Sequence, residues 1–167
     1  METTTNNKMA RWKRMFSDRD NGWWNNGINF VCLPECGRCC DEPGGIVYLS
    51  RDDATRIADH LEMELKSWLT QHCRTTHDGR FVLESKPEDG RCIYLNANKS
   101  CSIYDVKPSQ CSAFPFWSEN LVSDRAWNKT KRICPGIDHP EAIVIDGDSI
   151  WLKLEEDRVA EEGFRMI

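Results

Sequence analysis

The sequence lacks any long run of apolar residues. No stretch approaches the roughly 18–20 consecutive apolar residues that a membrane-spanning helix requires, and 29% of the residues are charged. Near the N-terminus, basic residues such as Lys8 and Arg11 are not followed by the apolar segment of a secretory signal. These absences exclude a membrane span and lead us to expect a soluble, cytoplasmic protein.

The sequence also lacks the common signatures of nucleotide-binding and hydrolytic enzymes. It contains no P-loop, no Rossmann glycine triplet and no Gly-x-Ser-x-Gly motif. An excess of basic residues is missing too, because the formal net charge is −5, and general nucleic-acid binding requires a basic face. We therefore assign no catalytic residues from the sequence and expect no nucleic-acid partner.

Cysteine, by contrast, is abundant, with nine residues among 167. Eight of them form two groups. In a reducing compartment such cysteines serve as metal ligands sooner than as disulfides, and an odd count fits poorly with full pairing. The predicted metal ligands are Cys32, Cys36, Cys39 and Cys40 in the first group and Cys92, Cys101, Cys111 and Cys134 in the second.

The first group lies in a short loop that contains Pro34 and Gly37. Such a loop is a poor place for core residues, whereas it can deliver several sulfurs to one metal centre. Adjacent Cys39 and Cys40 would point apart in an extended backbone, so both reach one centre only if the loop is bent. The isolated Cys73 is expected to fill the core, as free cysteine often does.

The type and number of metal centres stay open at this level. Eight thiolates could fill two four-thiolate sites, or one site with a reactive or structural remainder. The scarcity of histidine, four residues in the chain, favours an iron–sulfur cluster, but zinc sites made of cysteine alone are common. The expected cofactor is therefore an iron–sulfur cluster or Zn²⁺.

Hydrophobic periodicity predicts an α+β fold. We expect a small irregular single domain organised around a cysteine-ligated metal centre, with one long or split helix near residues 51–72 and a C-terminal helix over 149–162. Within it, residues 1–27 are a polar, flexible arm, 28–140 the metal-binding domain, and 141–167 a strand–helix extension packed on it. A further helix is predicted over 123–134, and strands are predicted over 28–31, 46–49, 81–83, 92–95 and 142–145.

Several motifs resemble one known family, the YkgJ-type cysteine-cluster (CxxCxxCC) proteins, which are described as zinc- or iron-chelating domains. The matching stretches are Phe30-Val31-Cys32, Cys36-Gly37-Arg38-Cys39-Cys40, Cys92-Ile93-Tyr94-Leu95, Cys101-Ser102-Ile103-Tyr104, Lys107-Pro108-Ser109-Gln110-Cys111, Phe114-Pro115-Phe116-Trp117 and Cys134-Pro135-Gly136-Ile137. They span about residues 28–137. The first gap here has three residues instead of two, and Lys107 stands where the family has arginine, which preserves the charge but loses the guanidinium fork. Neither departure removes a thiol.

The resemblance implies metal chelation by a protein with an unassigned redox or protein-modification-related role. One alternative is a metal-dependent protein-modifying enzyme, since flagellin lysine N-methylase resembles this cluster. Another is a zinc-stabilised interaction module in which Trp23, Trp24 and Trp117 form a partner surface, although burial is the preferred interpretation of these tryptophans. A protein partner or protein substrate is expected in each case.

Overall fold

The structure is a computed structural model that describes residues 3–17 and 19–166. Its α-helices are α1 (Thr3–Ser17), α2 (Arg38–Asp41), α3 (Arg51–His60), α4 (Leu65–His72), α5 (Ser109–Ala113), α6 (Ser118–Leu121), α7 (Asp124–Ile133) and α8 (Gly147–Glu162). Its strands are β1 (Ile28–Phe30), β2 (Cys73–Thr75), β3 (Phe81–Leu83) and β4 (Ile143–Ile145). Short 3₁₀ turns occupy Arg19–Asn21, Trp23–Asn26 and Tyr104–Val106. None of the helices in these described ranges is long and apolar enough to cross a membrane.

These elements divide between two compact units, and the expected α+β class is confirmed. The first unit comprises residues 1–32 and 115–158, and the second comprises 33–114 and 159–167. Each unit contains one two-stranded antiparallel sheet. The expected three-part division at residues 27 and 140 stays a prediction.

The first unit is built on aromatic packing beside the β1–β4 sheet, in which Ile28 lies opposite Ile145. The ring centroids of Trp24 and Trp151 lie 5.8 Å apart in an edge-to-face contact, and Trp24 is buried. Trp23 is 38% exposed, but its indole N–H donates to the carbonyl of Leu121 at 3.2 Å. Burial is thus the correct interpretation for Trp24 and only a partial one for Trp23.

Helix α1 lies in the segment that we expected to be a polar arm without regular structure. Its buried residues, Trp12 and Met15, lie three positions apart, which places them on one helical face. This apolar stripe is short and is surrounded by charged and polar residues. Its periodicity is therefore too brief to stand out in the sequence.

In the second unit, the predicted split helix is confirmed as α3 and α4. A capping box begins α3, with Ser50 Oγ accepting from the Asp53 amide and Asp53 accepting from the Ser50 amide. The chain leaves the helical path at Glu62, whose φ is +53°. The apolar faces of the two helices share a core with Leu49, Leu83, Tyr94 and Ile103, all of them buried.

The remaining predictions are mostly confirmed, with two corrections. The helix over 123–134, the C-terminal helix and the strands near 28–31, 81–83 and 142–145 are present as α7, α8, β1, β3 and β4. Residues 46–49 form only an isolated bridge, at Tyr48, because the Tyr48 amide donates to the Gln110 side chain at 2.8 Å and not to a strand. Residues 92–95 form a turn and not a strand, because the Leu95 amide donates back to the Cys92 carbonyl at 3.1 Å.

Candidate metal centre

The first cysteine loop is bent sharply at Gly37. Its φ is +58°, in the left-handed region that favours glycine. A Cβ atom at this position would overlap the carbonyl oxygen of Lys99 and lie 2.8 Å from the Leu95 side chain. The bend starts the helical turn α2, in which the sulfurs of Cys39 and Cys40 lie 4.0 Å apart. The adjacent cysteines therefore meet the condition under which both could reach one centre.

Two turns of the same kind carry Cys92 and Cys101. The Cys92 carbonyl accepts from the Leu95 amide at 3.1 Å, and the Cys101 carbonyl accepts from the Tyr104 amide at 3.2 Å. In each turn the amide two residues after the cysteine donates to its sulfur: that of Tyr94 to Cys92 and that of Ile103 to Cys101. Hydrogen bonds of this kind orient metal-binding sulfurs and stabilise their thiolate form.

The two cysteine groups are tied together by backbone and ion-pair contacts. The Cys92 amide donates to the Cys40 carbonyl at 3.1 Å. The carboxylate of Asp41 pairs with Arg91 Nε at 2.9 Å and with Lys99 Nζ at 2.9 Å. The hydrogen bond from Lys99, with the charge of Arg91, lowers the pKa of Asp41. Asp41 thus connects the first loop to the segments that precede Cys92 and Cys101.

Four thiols meet at Cys40, and we call Cys39, Cys40, Cys92 and Cys101 the thiol cluster. The Cys40 sulfur lies 4.0 Å from that of Cys39, and the neighbouring thiols of Cys101, Cys39 and Cys92 raise the pKa of Cys40. The Cys40 thiol in turn stabilises the partner thiolates: it lowers the pKa of Cys39 to about 7 and that of Cys101 to about 6, and it lowers the pKa of Cys92. These pKa shifts favour the thiolate forms of Cys39, Cys92 and Cys101 beside a protonated Cys40.

Positive charge near these thiolates comes from Lys107. After the hydrogen bond from Cys40, its ammonium group also lowers the pKa of Cys39 and Cys101. The Lys107 ammonium nitrogen lies 4.2 Å from the centroid of the Tyr104 ring. A fifth sulfur, that of Cys111 on α5, has its pKa raised by burial and by the charges of Cys39, Cys92 and Cys101. One ammonium group does not balance several thiolates, so the site favours a further cation.

The donor set matches a soft metal in chemistry, and one pair of sulfurs, those of Cys39 and Cys40, also matches it in spacing. Zinc–thiolate bonds are about 2.3 Å long, so sulfurs at two corners of a tetrahedral site lie about 3.8 Å apart, close to the 4.0 Å between Cys39 and Cys40. Across the described parts of the chain, no three Cys, His, Asp or Glu side chains stand arranged to hold an ion. The thiols are instead engaged with one another through S–H···S hydrogen bonds.

The other predicted ligands have different surroundings. Cys36 follows a turn closed by a 3.0 Å hydrogen bond from its amide to the Leu33 carbonyl. Cys32 and Cys134 belong to the first unit, where Cys32 is exposed and Cys134 is buried. Beside them the Val31 amide donates to the Gly136 carbonyl at 3.1 Å. All nine cysteines are free thiols.

Cys73 plays the core-filling role that its isolation predicts. It is buried at the start of β2, opposite Leu83. Burial, followed by the negative charge of Glu84, raises the pKa of Cys73 to about 12. The raised pKa of Cys73 contrasts with the lowered pKa values of Cys39, Cys92 and Cys101 in the thiol cluster.

Sequence reasoning missed two residues that organise the site, Asp41 and Tyr94. Besides its amide contact with Cys92, Tyr94 accepts at its carbonyl from the Ser102 amide at 2.9 Å, and so joins the two cysteine turns. The signals in the sequence were the Asp that directly follows Cys40 and the aromatic residue within Cys-Ile-Tyr-Leu. Neither has a recognisable role until the turns are in place.

A comparison with known protein families gives one match. The model of the family CxxCxxCC, described as "Putative zinc- or iron-chelating domain", matches residues 31–135. No solved structure matches the chain. The matched range includes all eight cysteines of the two groups and the whole thiol cluster.

Proposed function

Because the chain belongs to the CxxCxxCC family of zinc- or iron-chelating domains, we propose that it holds a single zinc or iron ion through the thiol cluster. The observation that carries this proposal is the meeting of three sulfurs from two distant cysteine groups at the Cys40 thiol. Thiolates prefer soft or borderline metals such as zinc and iron, and hard oxygen-seeking cations bind them poorly.

The spacing of the sulfurs favours one ion over a four-iron cluster. In a four-iron cluster each of the four thiolates binds a different iron atom, so their sulfurs stand farther apart than sulfurs that share an ion. Cys39 and Cys40 lie at the shorter, shared-ion spacing of 4.0 Å. This argument outweighs the scarcity of histidine, which by itself favours an iron–sulfur cluster.

A bound ion supplies the positive charge that the cluster requires. Cys39, Cys40, Cys92 and Cys101 would hold the ion as thiolates, with the Cys40 proton released to solvent, and the amides of Tyr94 and Ile103 would support Cys92 and Cys101. Four thiolates complete a tetrahedral site and leave no open position for substrate, as in structural zinc sites. The protein would then use the ion to connect the loop at Cys39 with the turns at Cys92 and Cys101.

The wider predictions follow from the resemblance. Cys32, Cys36, Cys111 and Cys134 stay predicted metal ligands without an assigned centre. A redox or protein-modifying role, a protein partner and a cytoplasmic location are further expectations. A cytoplasmic location would provide a reducing environment, in which the cluster thiols stay available to a metal.

Metal analysis after anaerobic purification tests the proposal. We expect zinc or iron without acid-labile sulfide, and cobalt substitution should give the visible spectrum of a tetrahedral thiolate site. A brown protein that contains acid-labile sulfide would contradict the single-ion site. No bound metal after growth and purification with zinc and iron would contradict metal binding itself.

Two cysteine variants then test the assignment of ligands. Cys40→Ser should lose the metal of the thiol cluster, whereas Cys73→Ala removes one thiol from the same unit and should keep it. Equal metal contents in the two variants would show that Cys40 is not a ligand.

A further inference from the structure

A groove in the first unit is lined by basic residues of α1. It has a volume of about 700 Å³, and its walls are formed by α1 and by residues of α6 and its C-terminal end. Lys8, Arg11 and Arg14 line one side at intervals of three residues, and Glu119 is the acidic residue among the lining side chains. This volume lies within the range of about 300–1,000 Å³ that is typical of ligand-binding pockets.

The charge of α1 is segregated from that of the rest of the protein. Between Thr3 and Ser17 the sequence has four basic residues, Lys8, Arg11, Lys13 and Arg14, and no acidic residue. The whole chain carries a formal charge of −5, so the remainder carries −9 against +4 on this helix. Segregation of this kind creates a local positive potential that attracts a negatively charged partner.

We propose that this groove binds an acidic peptide segment of a partner protein. Along the helix axis Lys8, Arg11 and Arg14 are separated from one another by about 4.5 Å, because each residue of an α-helix advances the chain by about 1.5 Å. Carboxylates of a short run of Asp or Glu in an extended segment can therefore meet two or three of these cations at once. Glu119 on the opposite wall would repel a segment that enters in the wrong position, which adds selectivity.

The charge distribution favours a short acidic segment over nucleic acid. Double-stranded DNA carries one negative charge for about every 1.7 Å of its axis, so a bound duplex would extend beyond the groove. It would then extend toward residues of the first unit outside α1, whose formal charges sum to a negative value. An acidic run of a few residues ends where the basic groove ends and avoids that repulsion.

Fluorescence anisotropy with a fluorescein-labelled hexaglutamate peptide and the metal-loaded full chain tests this proposal. We expect saturable binding that weakens as salt is raised. Lys8→Glu/Arg14→Glu should weaken binding by about 100-fold, since it replaces two attractions by repulsions. The neutral variant Lys8→Gln/Arg14→Gln should weaken it by about tenfold.

The matched control is Lys13→Glu/Lys129→Glu, which makes the same change in net charge at two exposed positions that do not line the groove. Its affinity should stay within about threefold of the wild type. If Lys13→Glu/Lys129→Glu weakened binding as much as Lys8→Glu/Arg14→Glu, binding would depend only on the net charge of the protein. That result would overturn the proposed site. The absence of binding, or tighter binding of a thymidine octamer than of hexaglutamate, would also overturn it. Thermal unfolding of each variant establishes that the compared proteins are folded.

Discussion

The hydroxyl of Tyr94 lies 2.7 Å from Nδ1 of His72 and so connects the turn of Cys92 to the end of α4. The indole N–H of Trp68 meets the same oxygen at 2.8 Å. Because an indole nitrogen only donates, the Tyr94 oxygen accepts from Trp68, which leaves the Tyr94 proton available for His72. With that proton directed at Nδ1, the ring of His72 carries its own proton on Nε2. Burial lowers the pKa of His72, which agrees with a neutral ring.

Tyr94→Phe should weaken both the fold and the metal site. The substitution keeps the ring but leaves the buried Trp68 N–H without its partner, at a cost of about 1–3 kcal/mol in the free energy of unfolding. Because the backbone of Tyr94 orients Cys92, we also expect metal affinity to fall by about tenfold, as for other residues that support a ligand. Urea unfolding and chelator competition measure the two effects. Tyr48→Phe is the control, since it removes a tyrosine hydroxyl of the same unit, one that accepts from Arg80 at 3.5 Å and lies outside the cysteine turns; a similar loss of affinity there would contradict a specific role for Tyr94.

Gly37→Ala should disrupt the metal site more than an alanine at another glycine of similar conformation. Gly37 and Gly44 both have positive φ, +58° and +76°, but a Cβ at Gly44 meets no atom within 4 Å. Gly44→Ala should therefore cost only the backbone strain of about 1–2 kcal/mol. At Gly37 the overlap with Lys99 adds to that strain and pushes the two cysteine groups apart. Metal content and the free energy of unfolding test the comparison, and equal effects of the two alanines would show that the contact with Lys99 is unimportant.

Asp53 should make the stability of the protein depend on acid pH. Burial raises the pKa of this carboxyl, but hydrogen bonds from Ser109, Arg56 and Ser50 outweigh burial and bring the pKa below its ordinary value. A group with a lowered pKa in the folded state stabilises the fold above the unfolded value of about 3.9 and loses that contribution as the pH falls through the folded value.

Asp53→Asn should therefore lower stability by about 2 kcal/mol at neutral pH and flatten the loss of stability below about pH 4. Urea unfolding measures both effects. It is repeated from about pH 2 to about pH 7 in steps on the order of half a pH unit. Asp52→Asn, at an exposed neighbour in the same helical turn, is the control. A variant of Asp53 with the acid profile of the wild type would contradict the assigned role.

Removal of the metal should abolish cooperative unfolding. The segments that hold the cluster are short turns, so we expect the ion to contribute much of the folding free energy, as in small metal-binding domains. Circular dichroism during thermal unfolding, before and after treatment with a chelator, measures the change. Readdition of zinc should restore the transition, and an apo-protein as stable as the metal-bound form would contradict this expectation.

Local sequence signals predicted those parts of the fold whose determinants lie within a few residues. The split helix near residues 51–72 and the C-terminal helix over 149–162 are examples, and the structure confirms both as α3, α4 and α8. The strand predicted over 92–95 was wrong because the apolar pattern does not reveal a turn that is closed by the Leu95 amide on the Cys92 carbonyl. Helix α1 was missed because its two buried residues make too short a pattern.

The sequence by itself determined the chemistry of the candidate centre: many thiols, little histidine and a Pro/Gly loop that brings sulfurs together. It left open which thiols meet, because Cys40 and Cys101 are 61 positions apart in the chain and spacing along a chain does not set distance in space. Only the tertiary structure decided that grouping. The backbone of Lys99 approaches Gly37 where no side chain fits, and the Asp41 carboxylate attracts Arg91 and Lys99. These contacts bring Cys92 and Cys101 to Cys40.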